Sequence, residues 1–284
     1  MPRGEAKVKI AVASGKGGTG KTTIAVNLAL SIGEVQLLDC DVEAPNVHLL
    51  LHPRGVESNP VYVKAPRIIE DRCDYCGRCA EACNFNAIFV ARDQIILFEE
   101  LCHGCGLCAK ICPRRAIVEE EKVVGFVKWG WAGGIELIWG ELGVGEPSPE
   151  PVIEAVKGRM DEGRTVIIDV APGTSCPVVA AVYGSDFCIL VTEPTPFGLH
   201  DLRQMVGVLR RLGIPMGVVV NKAGLGDRGV YKYCEVEGIP ILLEIPFDRR
   251  IAELYSRGIP LIQEMPEWRG RFLKLMDDVG RLMG

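Results

Sequence analysis

Residues 14–23 read SGKGGTGKTT, and this stretch decides how the rest of the chain is interpreted. An apolar run, residues 8–13, precedes it, and residues 23–31 continue it with a helical pattern. Strand, glycine-rich loop and helix in this order are the context of a phosphate-binding loop, and a chance match in a glycine-rich turn is the weaker alternative. The glycines let backbone N–H groups turn toward phosphate oxygens, and the helix N-terminus adds partial positive charge. The predicted phosphate-binding residues are Gly15, Lys16, Gly17, Gly18, Thr19, Gly20, Lys21, Thr22 and Thr23.

Lys21 and Thr22 have the best-defined predicted roles in this loop. A lysine at this position reaches the β- and γ-phosphates of a nucleotide, and the hydroxyl of the next residue ligates Mg²⁺. Carboxylates stand at the ends of two later apolar runs, Asp39 and Asp41 at one and Asp169 at the other. We expect them near the loop, because the carboxyl ends of parallel strands line the ligand crevice of an open α/β sheet. A solvated acidic turn is the alternative for Asp39 and Asp41.

Predicted strands alternate with predicted helices outside residues 60–120. These strands are nearly continuous in apolar residues, which is typical of strands covered on both faces. The pattern predicts an α/β fold with a mostly parallel sheet and helices on both faces. The chain has 284 residues, of which 48% are hydrophobic and 24% charged, so it can form one large or two modest domains.

Charge and hydropathy favour a cytoplasmic protein that has no nucleic-acid partner and no stable membrane anchor. The net charge of -5 argues against a nucleic-acid scaffold. No apolar run has the length of a membrane span, and residues 1–7 contain no apolar signal region. The C-terminal helical pattern, residues 267–283, mixes basic and acidic residues and fits a solvated amphipathic helix better than a membrane anchor.

The motif C-x-x-C-x-x-C-x-x-x-C occurs twice, and the second copy lies 29 positions after the first (102 − 73). A duplicated unit explains the repeat. In a chain predicted to be cytoplasmic, such cysteines are better candidates for metal ligands than for disulfides. Zinc is an alternative, although zinc sites usually take paired C-x-x-C motifs separated by a longer loop. The two runs are Cys73, Cys76, Cys79 and Cys83, and Cys102, Cys105, Cys108 and Cys112.

This pair of runs resembles the bacterial two-cluster ferredoxins. In that family, three cysteines of one run and the fourth cysteine of the other run hold each [4Fe–4S] cluster. The resemblance therefore implies an inserted α+β ferredoxin-like domain with two clusters. One departure is Asn84, which stands where Pro113 follows the second run. The implied ligands are Cys73, Cys76, Cys79 and Cys112 for the first cluster, and Cys102, Cys105, Cys108 and Cys83 for the second.

Lys16 adds a second lysine to the phosphate loop, which then reads KGGTGKT. In this respect the chain resembles the deviant-Walker ATPases, which include MinD, ParA, the Mrp-type cluster carriers and the nitrogenase iron protein. The resemblance implies a homodimer with ATP at its interface, in which Lys16 acts on the phosphates bound by the partner. It also implies that Asp41 orients the attacking water and that Asp39 and Asp169 lie with Thr22 around Mg²⁺.

The same resemblance implies the residues around the base. Asn221 follows a buried apolar run, and an asparagine there recognises the adenine edge, since an amide both donates and accepts. Pro246 and Asp248 belong to a loop beside the base. Mrp-type carriers also hold a dimer-bridging cluster with a C-x-x-C between this asparagine and the last strand. Only Cys234 occurs in that region here, so no bridging cluster is expected.

The two nested resemblances imply an ATPase domain in two parts, residues 1–59 and 121–284, around a ferredoxin-like insert, residues 60–120. They imply Mg²⁺-dependent ATP hydrolysis that couples nucleotide state to electron transfer or metallocluster handling for a partner protein. That partner is then an electron acceptor or a metallocluster client. Two alternatives stay open. One is a MinD- or ParA-like positioning switch with structural clusters, and the other is an iron–sulfur cluster carrier.

Overall fold

The structure, a computed structural model, describes residues 7–284. Within this range the chain forms eleven strands and eleven α-helices. The strands are β1 (Lys9–Ala13), β2 (Gln36–Asp39), β3 (Arg54–Ile68), β4 (Ile88–Val90), β5 (Ile95–Leu97), β6 (Ile117–Ala132), β7 (Ile135–Leu142), β8 (Val166–Asp169), β9 (Phe187–Thr192), β10 (Met216–Ala223) and β11 (Ile241–Pro246). The helices are α1 (Lys21–Ile32), α2 (Val47–Leu51), α3 (Arg78–Glu81), α4 (Leu107–Ile111), α5 (Glu150–Lys157), α6 (Cys176–Val182), α7 (Pro196–Leu212), α8 (Gly229–Glu237), α9 (Arg249–Ser256), α10 (Leu261–Glu264) and α11 (Trp268–Met283).

One nine-stranded sheet has the order β11-β10-β9-β1-β8-β2-β7-β6-β3. The pairs from β11 to β7 are all parallel, whereas β6 runs antiparallel to both of its neighbours. Strand β1 lies near the centre, where Ile10 pairs with Ile167 on one side and Phe187 on the other. The prediction of a mostly parallel α/β sheet is therefore confirmed.

Helices cover both faces of this sheet and enclose two cores. Successive side chains of a strand point to opposite faces. Ala11 and Ala13 accordingly lie in a core that contains buried residues of α5 to α8, whereas Ile10 and Val12 lie in a core that contains those of α1 and α11. Because helices cover both faces of the central strands, a ligand can reach these strands only at their ends. In open α/β sheets, ligands bind at the carboxyl ends of the strands.

Strands β3 and β6 form a long antiparallel hairpin that extends from Arg54 opposite Trp131 to Ile68 opposite Ile117. Both strands include stretches that are exposed without alternation, residues 54–60 of β3 and residues 119–121 of β6. Backbone pairing, not alternating burial, continues the strands there. The hairpin runs unbroken through positions 60 and 120 and so joins the sheet to the segment with the cysteine runs.

The segment between β3 and β6 repeats its geometry as the sequence repeats its cysteines. Helices α3 and α4 each begin after a glycine in the left-handed region, with φ of 77° at Gly77 and 71° at Gly106. Asn86 and Arg115 also share a positive φ, 53° and 51°, at the same 29-residue offset. Strands β4 and β5 pair as a short antiparallel hairpin between the two cysteine runs.

No helix within residues 7–284 is both long enough and apolar enough to cross a bilayer.

Candidate functional site

The loop between β1 and α1 has the backbone that its glycines allow. Gly18 and Gly20 lie in the left-handed region, with φ of 76° and 95°. A Cβ atom on Gly20 would lie 2.5 Å from Asn221 Nδ2, so the loop is packed closely against the end of β10. Asn221 Nδ2 donates to the Thr19 carbonyl oxygen at 2.8 Å, and Asn221 Oδ1 accepts from the Lys222 N–H at 2.9 Å. Asn221 therefore braces the loop in addition to its predicted role beside a base.

A cavity of about 320 Å³ opens beside this loop, a size typical of small-molecule sites. One end is lined by the loop and the start of α1, and the other end is lined by apolar side chains of β11, α9 and α10. The cavity brings together most of the residues predicted to bind nucleotide: Gly17, Gly18, Gly20, Lys21, Thr22, Thr23, Asp41, Asn221, Pro246 and Asp248. Phe247 and Tyr255 also line it, and their aromatic faces suit a planar base.

The remaining predicted residues lie behind or beside this cavity. Gly15 packs against Asp201 of α7, where an added Cβ would lie 2.5 Å from the Asp201 Cβ. Thr19, within the loop, and Asp39 and Asp169, at the ends of β2 and β8, are buried. The arrangement separates a phosphate end, rich in charge, from an apolar base end.

Lys21 is buried among three carboxylates. Burial lowers the pKa of Lys21, and the nearby charges of Asp169, Asp41 and Asp39 oppose that shift. Burial also raises the pKa of Asp41, partly offset by Lys21. The charges of Lys21 and the nearby carboxylates therefore depend on one another, as expected where a charged ligand completes the site.

Asp39 and Asp169 are both fully buried, but their oxygens have different partners. Asp39 accepts backbone N–H bonds from Asp41 at 3.1 Å, Asn46 at 2.9 Å and Val47 at 3.1 Å. Burial still raises its pKa to about 7. Neither oxygen of Asp169 has a hydrogen-bond partner of good geometry among residues 7–284. Burial and Asp39 raise the pKa of Asp169, and Thr22 and Lys21 lower it.

These groups fit a divalent cation. A buried carboxylate without partners is costly unless a cation or a proton compensates it. Mg²⁺ commonly takes one or two carboxylates and completes its shell with water and phosphate oxygens. Within residues 7–284, no three His, Cys, Asp or Glu side chains lie close enough to bind one metal ion by themselves. Asp169 and Thr22 are the protein groups that would hold Mg²⁺ with a nucleotide, with Asp39 behind them.

Lys16 is held by a residue that the sequence analysis missed. Glu193 follows β9, and its carboxylate accepts from Lys16 Nζ at 3.0 Å and from Lys222 Nζ at 2.6 Å. Burial opposes ionisation of Glu193, but the hydrogen bonds from Lys222 and Lys16 outweigh it and lower its pKa. A charged residue at the carboxyl end of a buried strand was the available signal, as it was for Asp39 and Asp169.

The cysteines of the two runs surround two separate recesses. Cys73, Cys76, Cys79 and Cys112 line the first, and Cys83, Cys102, Cys105 and Cys108 line the second. The fourth cysteine of each run thus lies with the first three of the other. The backbone N–H of Ala87 donates to Cys83 Sγ at 3.3 Å, and that of Ala116 donates to Cys112 Sγ at 3.2 Å.

Burial disfavours the thiolate form of one cysteine in each recess. Burial and, more weakly, the neighbouring thiols raise the pKa of Cys79, and the same causes raise that of Cys108 to about 11. All twelve cysteines, which lie within the described residues, are free thiols. Four converging thiols with backbone N–H donors fit an iron–sulfur cluster, in which iron supplies the charge and N–H groups bond to sulfur.

Three comparisons place the chain among known proteins. The model of the CobQ/CobB/MinD/ParA nucleotide binding domain matches residues 10–261. An uncharacterized protein of Methanocaldococcus jannaschii is 35% identical, with 89% of this chain and 90% of the relative covered. The iron-sulfur cluster carrier protein of Pyrococcus abyssi is 28% identical, with 90% and 79% covered.

Among solved structures, the septum site-determining protein MinD of Pyrococcus horikoshii, complexed with Mg-ADP, is similar in fold. Its TM-score is 0.58 at 23% identity, and the match covers 97% of this chain and 96% of that one. The match of the family model spans nearly the whole chain, including the phosphate loop and the carboxylates around it. The chain belongs to the CobQ/CobB/MinD/ParA family of P-loop nucleotide-binding ATPases.

Proposed function

We propose that this ATPase binds two [4Fe–4S] clusters in a ferredoxin-like insert, residues 60–120, and couples ATP hydrolysis to their use by a partner protein. The observation that carries the proposal is the sorting of eight cysteines into two recesses, each with three cysteines of one run and one of the other. This is the ligand pattern of two-cluster ferredoxins. The same chain carries a complete phosphate loop, so nucleotide and clusters would act in one molecule.

The residues at the phosphate end would perform hydrolysis as follows. The loop N–H groups and Lys21 stabilise the charge that develops on the transferred phosphoryl group. Asp41, at the edge of the cavity, orients the attacking water. Asp169 and Thr22 hold Mg²⁺, which neutralises phosphate oxygens when bound.

A homodimer completes this site in the proposal. Lys16 is paired with Glu193 in a single chain, so it must exchange that carboxylate for phosphate oxygens to assist hydrolysis across a dimer. A phosphate group offers a stronger, multiply charged acceptor than a carboxylate. Nucleotide binding would thereby favour dimerisation, and the partner protein would bind the dimer.

Electron transfer is favoured over cluster delivery as the use of the clusters. Each cluster, when bound, supplies a one-electron redox centre. Several relatives are named iron–sulfur cluster carriers, which makes delivery the second candidate. Four protein ligands for each cluster favour retention, because a cluster that is to be transferred benefits from incomplete or exchangeable ligation. A positioning switch is the third candidate, and the net charge of -5 weighs against it, because nucleic acid and anionic membranes repel an acidic protein.

Anaerobic purification tests the proposal. The protein should contain about eight iron and eight sulfide per chain, the content of two [4Fe–4S] clusters. Cys79→Ser, in the first recess, should reduce the iron content by about half, and Cys234→Ser, outside both recesses, should leave it unchanged. Zinc in place of iron would refute the proposal. Rapid transfer of iron and sulfide to an apo-acceptor would favour cluster delivery instead.

A further inference from the structure

Residues 143–149, between β7 and α5, form a loop that starts next to the segment after Asp41 and contacts the segment with the cysteine runs. We call it the bridging loop. At its start, the Leu142 N–H donates to the Val42 carbonyl oxygen at 2.8 Å, and the Gly143 N–H donates to the Val124 carbonyl oxygen at 2.8 Å. Val42 directly follows Asp41, so the loop begins at a hydrogen bond with the segment that holds the predicted water-orienting carboxylate.

A second contact ties the end of β7 to the same segment. Asp39 holds the N–H groups at the start of α2, and in the sheet it pairs with Trp139 of β7. The next residue of α2, His48, stacks on the Trp139 ring with centroids 5.5 Å apart and planes 11° apart. A change at Asp39 on nucleotide binding would therefore reach β7 through both backbone and side-chain contacts.

The far end of the bridging loop contacts the second recess. The Ser148 hydroxyl and His103 Nδ1 lie 2.5 Å apart, within hydrogen-bonding distance. His103 lies between Cys102 and Cys105, and its ring stacks on Phe85 at 3.9 Å. Glu146 adds an ion pair with Lys122 of β6 at 3.0 Å, and only 14% of the Glu146 side chain is exposed.

The duplication provides an internal comparison, because residues 7–284 show no equivalent hydrogen bond from the bridging loop to the first recess. At the 29-residue offset, Asp74 corresponds to His103 and Arg114 to Phe85. Arg114 Nε donates to Asp74 Oδ2 at 2.9 Å, and both side chains are well exposed. At the second recess, His103 stacks on Phe85 and hydrogen-bonds to Ser148 of the bridging loop. At the first recess, the corresponding residues form an ion pair with each other and not with the bridging loop.

We propose that the bridging loop transmits nucleotide state to the recess of Cys83, Cys102, Cys105 and Cys108, and not to the other recess. The inference rests on the proposed function, since it states which cluster site the nucleotide controls. The contacts form one continuous series from Asp39 and Val42 to His103, and each is short enough to break or shift with a small movement of the segment that carries Asp41. In a two-state element of this kind, a ligand at one end biases contacts at the other.

Hydrogen exchange of the intact, anaerobically purified protein tests this inference. Exchange would be compared with MgADP and with Mg²⁺ and a non-hydrolysable ATP analogue, in residues 99–108 and in the duplicated residues 70–79, because Cys83 and Cys112 each lie in the recess of the other run. We expect exchange rates to change by about threefold or more in residues 99–108 and to stay unchanged in residues 70–79. An equal response of both segments, or of neither, would overturn the inference.

Variants of the bridging loop test whether this loop causes the nucleotide-dependent change in hydrogen exchange. Ser148→Ala and Glu146→Gln each remove one contact and should weaken the response of residues 99–108, whereas the matched Asp74→Ala on the other recess should leave it intact. A response that survives the combined Ser148→Ala and Glu146→Gln variant would overturn the inference. Iron content is measured on the same samples. A chain that lacks iron but keeps the response of residues 99–108 refutes the proposed function and supports the transmission.

Discussion

Glu193 and Asp169 are buried carboxylates at the same edge of the sheet, and their surroundings differ. Glu193 binds two lysine side chains, and its pKa is low for that reason. Asp169 has no hydrogen-bond partner of good geometry among the described residues, and its pKa is high because burial penalises its charge. Glu193 neutralises Lys16 and Lys222, which a phosphate group also attracts. Asp169 needs a cation, and Mg²⁺ that arrives with a nucleotide would supply it.

Replacement of Glu193 by glutamine should strengthen nucleotide binding. The variant keeps the shape of the side chain and removes the anion that competes with phosphates for Lys16 and Lys222. If the ion pairs of Glu193 oppose nucleotide binding by about 1 kcal/mol, their removal should make MgADP binding roughly fivefold tighter. Titration calorimetry measures this change in affinity. Glu237→Gln is the matched control, because Glu237 pairs with Arg210 away from the loop. Unchanged or weaker binding in Glu193→Gln would contradict this role.

The stability of the nucleotide-free protein should fall as pH rises from about 4 to about 7. Asp39 and Asp169 have folded pKa values above their ordinary value of 3.8, and that of Asp39 is about 7. Between these values the folded chain binds more protons than the unfolded chain, so folding is favoured at the acidic end and this contribution is lost toward neutral pH.

Thermal unfolding between pH 5 and 8 measures this dependence. Asp169→Asn has no charge to bury, so its melting temperature should fall less with rising pH. At pH 8 the variant should melt on the order of 5 °C above the unmodified protein. MgADP should flatten it in the unmodified protein, because the cation favours the ionised carboxylate. A melting temperature that rises with pH in the nucleotide-free protein would show that these two groups do not control stability.

At the scale of elements, the loop between β1 and α1 is rigid because β10 supports it. Gly20→Ala places a Cβ against Asn221 Nδ2 in a backbone conformation that alanine rarely adopts. We expect MgADP affinity to fall more than about tenfold and the free energy of unfolding to fall by roughly 1–3 kcal/mol. Gly207→Ala in α7 is the control, since a Cβ there meets open space and favours helix. Near-normal affinity in Gly20→Ala would mean that the loop adapts to the added methyl group.

The elements differ in how far the sequence predicts them. The strand before the phosphate loop and the helix after it follow from apolar periodicity and from the glycines between them, and the mostly parallel sheet follows from apolar strands. The full lengths of β3 and β6 do not, because charged residues occupy both faces beyond the sheet. The contacts of Glu193 and Ser148 could not be predicted from the sequence either. Their partners, Lys16 and His103, are 177 and 45 residues away in sequence, and only the fold brings them together.

At the scale of the whole molecule, the long hairpin of β3 and β6 connects the sheet of the nucleotide site to the segment with the cysteine runs. Strands β3 and β6 extend the sheet that carries Asp39 and Asp169, and the bridging loop joins the same sheet to His103. A movement of the segment between Asp39 and Val47 on nucleotide binding would therefore reach the recess of Cys83, Cys102, Cys105 and Cys108 through the bridging loop. This connection is the reason to expect nucleotide state and cluster properties to depend on each other, and the dependence must be reciprocal.

Midpoint potentials of the two clusters, followed by electron paramagnetic resonance in the anaerobic protein, test this dependence most directly. The account predicts that one potential shifts by roughly 60 mV between MgADP and a non-hydrolysable ATP analogue, which is a tenfold coupling for one electron. The other potential should stay constant, and Ser148→Ala should reduce the shift. Two reversible signals with identical potentials in both nucleotide states would contradict the account.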